Sequence, residues 1–270
     1  MDGRPAQAGG TWATCALIAL LLACATSPLG RQQILLYPEA EVAQMGAAAF
    51  QRMRHELPLA RDPAAERYVQ CVTGELARAL DGGPGPRSWQ VELFEDRSAN
   101  AFALPGGKIG VHTGMLGVAT NQDQLATVLA HEIAHVTAQH TNERLSTTSV
   151  AQTGLSAVQL LLGGDSPGSQ QLMGALGLGA QVGVLLPFNR TQETEADLIG
   201  LRLMARAGFD PRASVELWRA MERKGGGSPP EFLSTHPSES SRIARLEQSM
   251  REVMPLYEQA VNAGRRPRCR

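Results

Sequence analysis

The sequence predicts an α+β fold, mainly α, and three observations carry that prediction. Apolar residues recur at helical spacing through most of the chain, whereas one window, from Trp89 to His112, switches to a period of two. A length of 270 residues, 43% hydrophobic and 19% charged, suits one globular domain with a sizeable core. Nothing repeats at a period of about 20 to 50 residues, which excludes a helical-repeat architecture. A net charge of -1 with interspersed signs provides no basic stripe, so nucleic acid is not an expected partner.

The chain divides into an export signal over 1–23, a linker over 24–37 and a folded domain over 38–270. Arg4 precedes an apolar stretch from Ala16 to Ala23 that is too short to span a bilayer comfortably. Leu21-Leu22-Ala23-Cys24 resembles a bacterial lipobox, with Leu22 an imperfect match, and makes Cys24 a lipidation candidate. Ala25 follows it, so by the same resemblance the outer membrane is the expected address. An uncleaved anchor or an ordinary signal peptide is the alternative.

Within the domain, Val42, Met45, Ala49, Phe50 and Met53 mark a first helix bracketed by Pro38 and Pro58. Asp62-Pro63 opens a second that runs to Leu80. Trp89, Val91 and Leu93, then Ala101 to Leu104 and Lys108 to His112 around a Pro105-Gly106-Gly107 turn, read as a small antiparallel sheet. Thr120-Asn121-Gln122-Asp123 starts a helix expected to continue to about Leu145. Two uncharged, Gln-interrupted stretches over 145–189 read as close-packed helices, with a flap or membrane-dipping hairpin as the alternative. Helices follow from Thr191 to Met204, from Ala213 to Arg223, and after Ser238.

The third of these helical blocks carries chemistry. His131-Glu132-Ile133-Ala134-His135 places two imidazoles one turn apart, about 40 degrees around the helix, where both can grip one metal ion. Two satisfied core histidines are the structural alternative. Glu132 lies about 100 degrees from His131, beside an ion without being forced to ligate it, the place for a general base. A catalytic zinc, one per chain, still needs an anionic ligand, and Glu193-Thr194-Glu195-Ala196-Asp197 offers one on a second helix. Glu193 is the choice by geometry, with Glu195 about 200 degrees away and solvated unless the helix is bent. Asp197, one turn beyond Glu193, can accept a hydrogen bond from a ligating imidazole.

These blocks, with Asn189-Arg190-Thr191-Gln192 before them and Ser234-Thr235-His236-Pro237-Ser238 after, resemble the gluzincin family of the CAAX prenyl protease, HtpX, mitochondrial Oma1, LoiP and BepA, over roughly 40–250. The resemblance implies a zincin-like metalloprotease domain with the sheet beside the active-site helix. It implies Glu193 as third ligand, Asp197 as its support, and His236 at the site, stabilising an oxyanion or ligating zinc in a resting state. The segment Asn100-Ala101-Phe102-Ala103 is similar to the edge strand on which that family binds extended substrate. Without the resemblance, His236 reads as a loop residue and the segment as an internal hairpin. The multiple membrane spans of the prenyl and heat-shock proteases and a carboxy-terminal repeat domain like that of BepA are not expected in these residues, so a compact LoiP-like periplasmic lipoprotein is the relative implied. Its expected partners are unfolded or misassembled polypeptides and outer-membrane assembly machinery. A non-catalytic periplasmic chaperone or assembly factor with structural zinc is the alternative function.

His140 reads as structural, about 180 degrees from His131 on an unbroken helix. His112 reads as an exposed strand position or a subsite residue, and Arg242 as a surface ion pair, with a hold on an acidic partner or on the oxyanion as the alternative. Cys71 and Cys269 either pair or serve as a buried apolar residue and a frayed end.

Overall fold

The computed structural model describes residues 24–80, 85, 86, 88–161, 188–224, 231–236 and 241–270. The signal over 1–23 and most of the second Gln-interrupted stretch lie outside them. The chain runs β1 (Cys24–Thr26), β2 (Gln32–Ile34), α1 (Glu39–Glu56), α2 (Pro63–Arg78), β3 (Gln90–Phe94), β4 (Ala101–Leu104), β5 (Lys108–His112), α3 (Thr113–Leu116), α4 (Gln122–Thr137), α5 (His140–Leu161), α6 (Arg190–Ala207), α7 (Arg212–Lys224), α8 (Phe232–Thr235) and α9 (Arg242–Asn262). The fold is therefore α+β and mainly α. Among the described residues no helix is long and apolar enough to cross a membrane.

Helix starts follow their caps. The Asp62 carboxylate accepts from the Ala64 and Ala65 amides before α2, and Asn121 does the same for Asp123 and Gln124 before α4. At α6 the Asn189 side chain accepts from the Gln192 amide while the Gln192 side chain accepts from the Asn189 amide, a reciprocal cap that fixes the turn holding Glu193. Gly208, at φ 88, closes α6 in the left-handed region.

Helix α4 is the centre of the molecule, buried from Gln124 to Thr137 and packed against α6, α2 and β4. Its closest neighbour depends on Gly200: a Cβ there would lie 3.0 Å from the Ala130 carbonyl and the His131 amide. A bare residue at that position lets α6 bring its acidic residues against the histidine pair.

The three-stranded sheet has the order β3-β5-β4, with β3 parallel and β4 antiparallel to β5. It is mixed rather than wholly antiparallel. Alternation announces a half-buried strand but is blind to direction. The central strand β5 buries Ile109 and Val111 completely. The β3 edge is closed by the segment before α2, where the Ala60 amide donates to Leu93 and the Glu95 amide to Pro58. The β4 edge faces α4 instead.

Two further expectations change. The stretch 24–37, read as a linker, contains the antiparallel pair β1–β2, with Cys24 opposite Ile34. Helix α4 also does not continue to Leu145. It ends at Thr137, Gln139 adopts φ 55, and α5 starts anew at His140.

Cys71 of α2 is disulfide-bonded to Cys269, with Cα atoms 5.6 Å apart. The bridge ties the carboxy terminus to the core across 198 residues, a loop closure worth at most about 5 kcal/mol in the chain-entropy picture.

Candidate metal centre

Four buried side chains from three elements converge. His131 and His135 come from α4, Glu193 from the first turn of α6, and His236 from the residue after α8; one ligand atom of each lies within 4.8 Å of all the others. The His131 and His135 Nε2 atoms are 3.1 Å apart. Glu193 reaches both, Oε2 at 3.4 Å from His131 Nε2 and Oε1 at 3.3 Å from His135 Nε2. Donors about 2.0–2.1 Å from a tetrahedral zinc stand about 3.3 Å from one another, so the three spacings fit that ion. His236 Nδ1 lies 3.1 Å from His131 Nε2 and 3.0 Å from Glu193 Oε1, at the fourth corner. Among the described residues this is the one such cluster.

The charges also call for a cation. Burial would lower the His131 pKa, but Glu193 and the hydrogen bond to Asp197 outweigh it and raise it to about 9. Burial pushes His135 well down. Glu193, although buried, is held far below the usual carboxylate range by the His131 charge and by hydrogen bonds from three imidazoles. The field that retains a proton on His131 equally favours a metal ion in its place.

Glu132 stands beside this cluster. Its Oε2 accepts from the Ala103 amide at 3.0 Å, and its Oε1 lies 3.2 Å from His236 Nε2. Burial pushes its carboxyl up, partly offset by His236 and His131. A carboxylate with raised pKa, next to the ligands but not among them, suits proton transfer.

The predicted edge strand is adjacent. Ala103 gives its amide to Glu132, Ala99 gives its carbonyl to the Phe232 amide, and Ala101 lies between them in the same phase, turned away from β5. Phe102 instead packs on Phe94 at 6.0 Å, and the Asn100 amide group donates to Glu231 at 3.2 Å. The main chain of β4 thus runs past the cluster between α4 and α8.

Asp197 takes its expected place, with Oδ1 3.1 Å from His131 Nδ1. Arg242 corrects its surface reading: it is 1% exposed and donates through Nη2 to Asp197 at 2.5 Å. Its Nη1 lies 3.4 Å from Glu193, and its guanidinium stacks 3.5 Å over Trp218. Burial would raise Asp197, but the Arg242 charge lowers it and keeps it ionised.

His140 and Glu195 require larger corrections. The break at Gln139 turns His140 back toward the cluster, with Nδ1 2.9 Å from His135 Nδ1 and Nε2 3.2 Å from Glu195 Oε2. Glu195 does point away from the ligands, yet it is 4% exposed because the β1–β2 hairpin covers it. Ser27 donates to its Oε1 and Arg31 to its Oε2 at 2.8 Å. Burial notwithstanding, the His140, Ser27 and Arg31 hydrogen bonds lower its pKa to about 2. His112 is buried beside Ser98, at 2.8 Å, and stays outside the cluster. Phe188, which stacks on His135 at 3.8 Å, carried no signal in the sequence.

The comparisons agree with this geometry. The chain is similar to the mitochondrial metalloendopeptidase OMA1 of Schizosaccharomyces pombe, 41% identical over 173 residues that make up 63% of this chain and 49% of the relative. It is also similar to the beta-barrel assembly-enhancing protease of Escherichia coli strain K12, 30% identical over 224 residues, 80% of this chain and 45% of the relative. The chain thus spans about half the length of these curated relatives. The model of peptidase family M48 matches residues 63–250, from the first turn of α2 to the middle of α9 and across every residue of the cluster, so this chain belongs to peptidase family M48.

Proposed function

We propose that the chain is a zinc-dependent endopeptidase of the bacterial cell envelope that cleaves unfolded or misassembled polypeptides. The observation that carries this reading is the cluster of His131, His135 and Glu193 beside the buried Glu132 and the main chain of β4. His131, His135 and Glu193 hold the metal. Zinc, when bound, supplies a polarised water of lowered pKa. Glu132, beside the site, would take the proton given up as water adds to the peptide carbonyl and pass it to the amine nitrogen as the C–N bond breaks. The main chain of Ala101 and the carbonyl of Ala103, turned away from β5, pair with an extended peptide whatever its side chains, which suits unfolded substrates. His236, at the fourth corner and 3.2 Å from Glu132, would stabilise the developing oxyanion or, in a resting state, hold the metal itself.

The envelope address is supported by the lipobox-like residues before Cys24 and by the Cys71–Cys269 bridge, which fits an oxidising compartment. Lipid attached to Cys24 would anchor the domain at the periplasmic face of the outer membrane through a strand that begins at that residue. Similarity to a beta-barrel assembly-enhancing protease favours misassembled outer-membrane proteins as substrates and their assembly machinery as a partner.

An unfolded casein reporter tests the activity. Cleavage is expected to be abolished by a zinc chelator and restored by added zinc. Chelator-insensitive cleavage, or none by zinc-loaded protein, would exclude the proposal.

A further inference from the structure

Resting on the metallopeptidase reading, we propose that His140 is a positioning residue that orients the metal ligand His135 through a hydrogen-bonded relay anchored on Arg31 of the amino-terminal hairpin. The relay runs from His135 to His140, on to Glu195, and ends at Ser27 and Arg31.

The protons in this relay have one consistent arrangement. His135 turns Nε2 into the cluster, and that nitrogen must be bare to hold a cation, so its single proton sits on Nδ1. Nδ1 is 2.9 Å from His140 Nδ1, which must then accept. The His140 proton is thereby placed on Nε2, and there it meets the Glu195 carboxylate at 3.2 Å. The opposite arrangement would aim an N–H of His135 at the metal and a lone pair of His140 at a carboxylate. Every donor in the chosen arrangement faces an acceptor, and the negative end of the relay is closed by Ser27 and the Arg31 guanidinium.

The second ligand shows what such a relay does. His131 gives its Nδ1 proton directly to Asp197, which Arg242 holds. Among the described residues no carboxylate lies at that distance from His135 Nδ1, and the imidazole of His140 spans the gap to Glu195. Hydrogen bonds of this kind fix the tautomer and direction of a metal-bound imidazole and raise its basicity.

Arg31 also secures the third ligand. Its Nη1 and Nη2 donate to Glu143 at 2.5 and 2.8 Å, and Glu143 accepts at 2.7 Å from Gln192, the residue before Glu193. One hairpin side chain thus braces both the His135 relay and the first turn of α6. The order of the segment directly after Cys24 is thereby linked to the shape of the metal centre.

The test is a zinc dissociation constant from competition with a chromogenic chelator, with thermal unfolding of the metal-free full chain as the control for folding. His140→Leu is expected to weaken zinc binding by about ten- to a hundredfold. His140→Asn, which offers an acceptor oxygen near the lost Nδ1, is expected to recover most of the loss. Arg31→Gln, at the far end, should weaken binding in the same direction, measured at a temperature well below its metal-free melting, which the unpaired Glu143 and Glu195 carboxylates lower. Wild-type affinity in folded His140→Leu overturns the relay, as does equal loss in His140→Leu and His140→Asn. Should His140→Leu fail to fold, wild-type affinity in Arg31→Gln overturns it. Wild-type protein that binds no zinc overturns the metal centre and the relay together, whereas tight binding by wild type and all variants overturns the relay alone.

Discussion

Glu132→Gln is expected to lower the turnover of an unfolded reporter by about a hundred- to ten-thousandfold, while zinc content and melting temperature stay near those of the parent. The amide matches the carboxylate in shape. Its oxygen can still accept from the Ala103 amide, so β4 keeps its place on α4. What the amide lacks is a basic oxygen beside the ligands, where burial now raises the pKa of the carboxyl and His236 stands 3.2 Å away. Steady-state cleavage measured alongside metal content separates the two roles. A zinc-loaded variant that retains parental turnover would mean that another group moves the proton. It would also favour the reading of the site as a structural zinc in a chaperone.

Glu193→Ala is expected to have the largest effect on metal. Loss of an outer partner costs up to about a hundredfold in affinity, so loss of a ligand should exceed that. The carboxylate also stands 3.4 Å from Arg242 Nη1 and 3.0 Å from His236 Nδ1. Among the described residues its removal leaves the buried guanidinium Asp197 alone as an anionic partner, and breaking a buried ion pair costs about 3–5 kcal/mol. Equilibrium dialysis against zinc and thermal unfolding of the metal-free protein would read both effects. Parental zinc affinity in this variant would show that the ligand set is wrong.

Much of this centre is legible in the residues themselves because it is built from local geometry. The spacing of His131 and His135 places them on one helical face, and Asn121 and Asn189 announce the helices that carry the ligands. The same angular argument separates Glu193 from Glu195, and the two carboxylates do lie apart: Glu193 faces the cluster and Glu195 meets His140. Its limit is that a residue turned away from one site need not be turned toward water. Glu195 meets Arg31, 164 positions earlier in the chain, and no periodic pattern encodes that contact.

His140 was hidden for a different reason. The expected continuous helix places it opposite His131, but the break occurs at Gln139, which takes φ 55 with no Gly or Pro to signal it. Left-handed backbone at a non-glycine residue is uncommon and is held by its surroundings. Arg242 reads from sequence as a solvated charge on an amphipathic helix. Its burial arises only when Trp218, Asp197 and His131 close around it from three other helices. The direction of β3 is likewise set by chain connectivity, which alternation does not record.

The most direct measurement is anomalous diffraction at the zinc absorption edge from crystals of the zinc-loaded chain. The predicted result is one zinc per chain bonded to Nε2 of His131, Nε2 of His135 and a carboxylate oxygen of Glu193. Zinc held elsewhere, or Glu193 turned away from both imidazoles, would contradict it.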